Sequence, residues 1–428
     1  MKKIIFALLI IFCINNSAFA NESGDITNLS LQDCLNIALN NHPSLKKSKG
    51  SVKSARALIE QTKATNRVKV SATARTGLNG DYQYWDDRYH SGTLSITASK
   101  IIYDTNVNKL NLEIQNENLA GVLESERQTQ LDVAANAKKA YYDLVLKILA
   151  RDVEREKLKN LEQHLITAKG IYEVGNSSYI DVTKAEADAA SSNVSLLKAE
   201  NDILLSQEAL KIAMGITDLE DFDLILSTNL ILPEKAGEVQ DILKIAMNDR
   251  ADYKKIQHTL RQRELEIKAA ARSNSPTITA SVGSDLSKRE ASNATRDYNA
   301  ALSMNIPIED GGLTKAKIES ARAQLEQDMA DEESLRNTIT HDVKSAAFSL
   351  SNAIERAKSS EKSVQYAEEN LTLAQGRYEV GVGDALEVSD AVKALADSRY
   401  TLYQAVYDAQ TARADLDLAL GHLPVEIQ

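Results

Sequence analysis

The sequence predicts an α+β membrane protein made of two copies of one unit: a short helical start, a pair of strands and a very long helical hairpin. Three observations carry this. The chain matches itself at a near-constant offset, four short segments alternate apolar and polar residues, and two long stretches contain no proline.

The repeat comes first, because a missed repeat misassigns every element after it. Asp33-Cys-Leu-Asn-Ile-Ala-Leu-Asn40 matches Asp241-Ile-Leu-Lys-Ile-Ala-Met-Asn248 at an offset of 208. From Ile102 onward the offset is 206: Asp104 meets Asp310, Lys109 meets Lys315, Tyr172-Glu-Val-Gly175 meets Tyr378-Glu-Val-Gly381, and Gly215 meets Gly421. The two-residue change falls between about 77 and 95, where a turn is expected. The units are set at residues 21–217 and 239–428, with a linker at 218–238.

The first residues, MKKIIFALLIIFCINNSAFA, combine a charged start (Lys2, Lys3), an apolar run and a small-x-small site at Ala18-Phe19-Ala20. That is the pattern of a secretory signal peptide over residues 1–20, too short for a membrane span. Cys13 raises the question of lipidation, but Phe12 stands where a lipobox needs Gly or Ala, so cleavage after Ala20 is favoured. Removing Lys2 and Lys3 takes the formal charge from −11 to −13, which argues against nucleic acid as a partner. Cys34 is then the one cysteine of the mature chain, on an apolar helical face, and reads as a small core residue.

Leu29 to Asn41 places Leu31, Leu35, Ala38 and Leu39 at helical spacing and stops before Pro43; a second helical stretch runs from Ser44 to about Asn66. Then the period changes to two. Val68, Val70, Ala72 and Ala74 alternate with polar residues, as do Leu94, Ile96 and Ala98, then Ile278, Ala280 and Val282, then Ala300, Leu302, Met304 and Ile306. Four strands of about ten residues with one apolar face suit a transmembrane barrel. They also suit a soluble sheet packed on a core, and strands alone leave both readings open.

No proline occurs between Pro43 and Pro233 or between Pro307 and Pro424. Proline breaks helix interiors, so these gaps admit helices from Asp104 to about Gly170 and from Leu313 to about Gly376. At 1.5 Å per residue each is about 100 Å long. Asp104 and Asp310 are expected as N-caps. Leu158, Leu161, Leu165, Ala168 and Tyr172 follow coiled-coil spacing, as do Val364, Ala367, Leu371, Ala374 and Tyr378, and Leu395, Leu402, Ala409 and Leu416 recur every seven residues on the return helix. Glycine-bearing turns at Gly175 and Gly381 close the long helices. Such helices project far beyond any compact core. Four strands cannot close a barrel, and open edges in lipid leave unpaired backbone groups. Closure therefore requires oligomerisation, and a homotrimer supplies twelve strands.

The element order, the Leu29-Ser-Leu-Gln-Asp-Cys-Leu-Asn-Ile-Ala38 opening, the two Tyr-Glu-Val-Gly tips and Asp310-Gly-Gly312 after the last strand resemble the TolC-type outer-membrane efflux protein family over residues 29 to 421. The resemblance implies a trimeric outer-membrane β-barrel continued by a periplasmic α-helical barrel in a Gram-negative cell. It implies passive export through that conduit, which docks on a periplasmic adaptor (membrane fusion) protein and an inner-membrane transporter. It also implies that the tips form a gate. Glu387 and Asp390 match acidic residues that ring the entrance. They lie at i, i+3 on one helix face, and threefold repetition makes two closely spaced acidic rings that favour cations; a solvated pair on an outer helix face is the alternative. Tyr378 and Asp181 match residues that lock the closed entrance, but the lock's basic partner falls at Gly383 here. Gly175, Gly381 and Tyr172 shape tips that would meet the adaptor, with plain helix termination as the alternative for the glycines.

The segment Asp81 to His90, rich in aromatics, joins the first two strands and suits a membrane interface or a polar loop. The six histidines show no ligand spacing, and neither a nucleophile motif nor a phosphate loop is present, so no cofactor, metal or enzymatic activity is expected. A soluble scaffold such as the adaptor itself would show one helical hairpin nested in a lipoyl-like domain, whereas this chain has two hairpins with paired strands. Cargo stays open among drugs, protein and metal, because multidrug efflux, type I secretion and metal export share this component.

Overall fold

The computed structural model describes residues 28–80, 88–175, 177–216, 222–224, 232–289 and 292–423. The signal peptide, Cys13, the Asp81–Asp87 part of the aromatic segment and most of the linker lie outside the described residues.

The chain opens with β1 (Asn28–Leu29), α1 (Leu31–Asn41) and α2 (Pro43–Thr65). Ser30 and Asp33 form a capping box that starts α1, and Pro43 sits at the first turn of α2, where its missing N–H costs nothing. β1 pairs in parallel with β4 (Asp223–Leu224), a tie between the start of the first unit and the linker that periodicity did not reveal. Cys34 is fully buried among Leu210, Met214 and Phe222, and burial pushes its thiol up to about 12.

The first unit continues through β2 (Lys69–Asn79), β3 (Tyr89–Tyr103), α3 (Val107–Glu173) and α4 (Tyr179–Met214). The second repeats it with α5 (Val239–Asp249), α6 (Ala251–Ala271), β5 (Thr277–Arg289), β6 (Thr295–Asn305), α7 (Leu313–Glu379) and α8 (Ala385–Leu420). The two copies match to the residue where it matters most: α3 and α7 are each 67 residues and α4 and α8 each 36.

The four long strands form one antiparallel sheet in the order β2-β3-β5-β6. Its register places Ala72 beside Ile96, Leu94 beside Leu286, Ala98 beside Val282, and Ala280 beside Leu302. All the apolar alternates therefore share one face. That face is bare: Val70, Ile96, Val282 and Leu302 are exposed, and among the described residues no helix packs across it. A soluble sheet would bury this face, so the core-packed alternative fails. The opposite face carries Ser71, Thr73, Thr97, Ser281, Asp285 and Asn299. Strands β2 and β6 are open edges. Among the described residues no helix is long and apolar enough to cross a membrane.

The strand-to-helix corners differ from expectation. Asp104 and Asp310 are not the N-caps; Asn106 and Gly312 are. Each aspartate sits two residues earlier and still serves the helix: Asp104 accepts the Asn108 N–H at 2.8 Å, and Asp310 accepts the Thr314 N–H at 2.8 Å. The reach is possible because two successive residues turn left-handed, Thr105-Asn106 in one unit and Gly311-Gly312 in the other. The second unit meets this geometry with glycine, whereas the first holds a β-branched residue at φ 55°.

The helices pack as expected, with one change of phase. Leu371, Ala374 and Tyr378 of α7 and Leu395, Ala409 and Leu416 of α8 are buried in shared clusters. In α3 the inward residues near the tip are Leu161, His164 and Ala168, so Tyr172 falls off the seam and is exposed. The two hairpins pack on each other mainly through α3 against α8.

Each return helix ends at a left-handed glycine pressed on the turn that opens its own unit. A Cβ on Gly215 (φ +72°) would stand 2.6 Å from the His42 Cα, and one on Gly421 (φ +77°) 2.9 Å from the Arg250 Cα. Gly215→Ala or Gly421→Ala should therefore lower thermal stability by about 2–4 kcal/mol, combining left-handed strain with overpacking against backbone. The control is Gly50→Ala inside α2, where a Cβ meets open space; it should be neutral or stabilising by about 1 kcal/mol.

Candidate functional site: the helical tips

The α3–α4 and α7–α8 turns lie at the end of the hairpins remote from the sheet. The first turn closes at Gly175 (φ +79°), and a Cβ there would meet nothing within 4 Å. Beyond it Ser178 caps α4: its hydroxyl accepts the Ile180 N–H at 3.3 Å, while Asp181 accepts the Ser178 N–H at 3.3 Å. Tyr172 packs against Tyr179 in a tilted arrangement with ring centroids 5.6 Å apart, both exposed.

The second turn is tighter. Gly381 has φ +74° with open space around it, but Gly383 is wedged against the end of α7. The Val382 and Gly383 N–H groups both bond the Arg377 carbonyl, at 2.9 and 2.8 Å. A Cβ on Gly383 would lie 2.9 Å from the Tyr378 nitrogen and 3.0 Å from Arg377. The turn geometry thus accounts for the missing basic residue. Asp384 caps α8 by accepting the Leu386 N–H at 2.8 Å.

Tyr378 is buried, packed on the ring of His164 with centroids 5.2 Å apart. Among the described residues its hydroxyl has no hydrogen-bond partner, so Tyr378 and Asp181 are not bonded to each other. Burial raises the Tyr378 pKa, and the Asp181 and Asp384 charges raise it further. Burial also lowers the pKa of His164, against a hydrogen bond with the Ala385 backbone and the charges of Asp188 and Asp181.

Glu387 and Asp390 are both exposed on the first two turns of α8. Glu387 is met by Arg377 of its own hairpin, with Nε 3.3 Å from Oε2. One polar group at this level was missed from the sequence. Asp188 of α4 accepts a hydrogen bond from Ser389 and lies 2.8 Å from Lys393 Nζ, both on α8. Burial works to raise the Asp188 pKa, but the bonds from Lys393 and Ser389 outweigh it and hold the carboxyl below its ordinary value. Sequence reading could not find it, because its partners lie 201 and 205 residues away and it falls outside the tip motif. Among the described residues no group of three His, Cys, Asp or Glu side chains is placed to hold a metal.

A bare two-faced sheet with open edges, continued by paired 67-residue helices that end in tight tips, defines a subunit of a channel with joined strand and helix barrels. The sequence pattern of the outer membrane efflux protein family matches residues 34–216 and again 242–422, and the chain belongs to that family. Its match to the probable outer membrane lipoprotein SilC of Salmonella typhimurium is 23% identical over 90% of this chain and 84% of the relative. The cation efflux system protein CusC of Escherichia coli (strain K12) is 22% identical over 72% of this chain and 68% of its own length. The crystal structure of VceC, an outer membrane protein of Vibrio cholerae, superposes with a TM-score of 0.77 at 20% identity, covering 92% of this chain and 96% of the other. The protein is accordingly an outer-membrane protein of the TolC-like type.

Proposed function

We propose that three copies of this chain form a passive export conduit, serving as the outer-membrane component of a tripartite efflux pump or a type I secretion system. The observation that carries the proposal is the sheet. Its apolar face is uncovered, its polar face is continuous, and its two outer strands have unpaired edges. In lipid such edges cost several kcal/mol per unpaired group, and closure by neighbouring copies removes them. β6 runs antiparallel to β2, so the edges of adjacent copies meet in the sense that continues the sheet.

Residues 1–20 are removed on export, the units at 21–217 and 239–428 span the envelope side by side, and 218–238 links them. The long hairpins form the periplasmic tunnel. Gly175, Gly381 and Tyr172 shape the tips that meet the periplasmic adaptor and, through it, an inner-membrane transporter. Glu387 and Asp390 ring the entrance, with Tyr378 and Asp181 beside them. Relatives with described cargo include cation, toluene and antibiotic efflux components, consistent with a shared conduit whose cargo is chosen upstream.

Fractionation and cross-linking test this reading. The mature chain is expected in the outer membrane as a trimer that conducts ions in planar bilayers. Recovery as a soluble periplasmic monomer would overturn it.

A further inference from the structure

We infer that Lys288 and Arg296, at the outer end of the strand sheet, hold a phosphate of a phosphorylated glycolipid of the outer leaflet, with its acyl chains laid on the apolar face below them. The inference rests on the sheet lying in the outer membrane, and on neither the gate nor the cargo.

The register sorts the strand charges by face. Both acids of the four long strands, Asp285 and Asp297, stand opposite each other on the polar face. That face also carries the cations Lys69, Arg75 and Arg289, and Arg289 donates to the Tyr89 hydroxyl at 2.8 Å. The charged residues of the apolar face are cations alone: Lys100 toward the helices, Lys288 and Arg296 toward the strand turns. Lys100 and Gly92, the partner of Lys288, are eight residues apart on β3. At ~3.4 Å per residue and a tilt of ~40°, the two levels are about 20 Å apart along the membrane normal. Long side chains reach outward from both ends and extend that span toward the ~25 Å apolar band of a barrel. Lys288 and Arg296 therefore reach the outer headgroup level.

The two cations form a pair. Arg296 lies beside Leu286, and Lys288 follows Leu286 by two residues, so they are diagonal neighbours on adjacent strands. Such neighbours are ~7–8 Å apart. Both are exposed, and among the described residues neither has an ion-pair partner. Like charges this close repel, most strongly at the edge of lipid where the dielectric is low. An anion between them removes the repulsion, and the apolar face has no carboxylate to supply one. A phosphate does. Arginine offers two of its oxygens a planar fork, and lysine adds a compact point charge.

The surface next to the pair makes that anion a lipid. Leu94, Leu286 and Tyr298 share the face with it, at 44%, 38% and 73% exposure, and form an apolar floor on the side toward the helices. Beside Lys288 the neighbouring strand has Gly92, where a Cβ would meet nothing within 4 Å, so a headgroup has room to approach. A free phosphate would use the cations and leave the floor bare. A glycolipid with phosphate on its sugar and several acyl chains uses both, and this is the lipid that fills the outer leaflet of a Gram-negative cell. At the repeat offsets of 208 and 206, Lys288 corresponds to Gly80 and Arg296 to His90. The Lys–Arg pair thus exists once in each chain and three times in a trimer.

The experiment is native mass spectrometry of the full-length trimer in detergent, with assembly checked for every variant. The probes are bisphosphorylated lipid A, dephosphorylated lipid A, phosphatidylglycerol, and inorganic phosphate as a competitor. Bisphosphorylated lipid A should bind at up to three per trimer. Lys288→Gln and Arg296→Gln should each weaken that binding about fivefold, and together about thirtyfold, the scale of cations at an anionic membrane surface. Lys288→Arg should keep it. Lys100→Gln at the other end of the band and Arg75→Gln on the polar face should leave it unchanged, which a general loss of positive charge would not. An assembled double variant with unchanged affinity would overturn the inference. Equal binding of dephosphorylated lipid A or phosphatidylglycerol, or full displacement by millimolar inorganic phosphate, would overturn it too. A chain recovered as a soluble monomer would remove the conduit reading and this inference together, whereas trimers that bind lipid A no better than the double variant remove this inference alone.

Discussion

Replacing Glu387 with Gln and Asp390 with Asn together should lower the cation-over-anion permeability of the channel by roughly tenfold at low salt. The argument starts from position. Both side chains are exposed on the first two turns of α8, one helix face apart by three residues, immediately beyond the second tip. On the proposed function a trimer brings six such carboxylates to one constriction, where like charges reinforce one another and low-dielectric walls focus their field. The two residues should not contribute equally. Arg377 lies 3.3 Å from Glu387 and cancels part of its charge, so Asp390→Asn should cost more selectivity than Glu387→Gln. By the same reasoning Arg377→Gln should raise cation preference. Salt provides an internal control. The Debye length falls from about 10 Å at 0.1 M to about 3 Å at 1 M, so the difference between wild type and the double variant should shrink over that range. Reversal potentials measured across a salt gradient check each step. A double variant as cation-selective as the parent, at low salt, would place the two residues on an outer face instead.

The architecture was legible in the sequence because each level of pattern was repeated twice. The apolar alternation of Val70, Ala72 and Ala74 marked β2, and its counterpart at Ile278, Ala280 and Val282 marked β5. Absence of proline bounded α3 and α7, and the glycines at 175 and 381 fixed where they end. What stayed hidden depends on three-dimensional neighbours. Asp104 and Asp310 read as caps because aspartate favours that position, yet the left-handed pair after each one moves the cap two residues on. Tyr172 and Tyr378 occupy matching places in the repeat, yet one is exposed and the other is buried against His164 of the first hairpin, whose counterpart in the second hairpin is Asn370. Asp188 could not be singled out at all. Its partners are on the other hairpin, and nothing local distinguishes it from the other acids of α4. The sheet decided between membrane and soluble readings only once the register showed every apolar alternate on one uncovered face.

Gly383→Arg would place a basic residue where the family resemblance expects one, and it should loosen the entrance instead of locking it. The first atom of any side chain at 383 is the obstacle. Its Cβ would lie 2.9 Å from the Tyr378 nitrogen and 3.0 Å from the Arg377 carbonyl carbon, and backbone atoms at a helix end cannot step aside as a flexible side chain can. Relief requires the turn to move, which breaks the bonds from the Val382 and Gly383 N–H groups to the Arg377 carbonyl. Overpacking of this kind costs about 1–3 kcal/mol, and losing the two turn bonds adds about 1 kcal/mol each. The expected signs are faster amide exchange over residues 374–395, new protease cleavage at the second tip and a larger open fraction in bilayers. Gly381→Ala makes the useful comparison. It carries a left-handed φ of +74° but has nothing within 4 Å of a Cβ, so only the backbone strain of about 1–2 kcal/mol applies. The ranking that follows, Gly383→Arg worse than Gly381→Ala, is the reverse of what conformation alone predicts, since only Gly381 has a positive φ. A Gly383→Arg channel with unchanged exchange and a smaller open fraction would mean that the turn yields and that the tip can accept a basic lock after all.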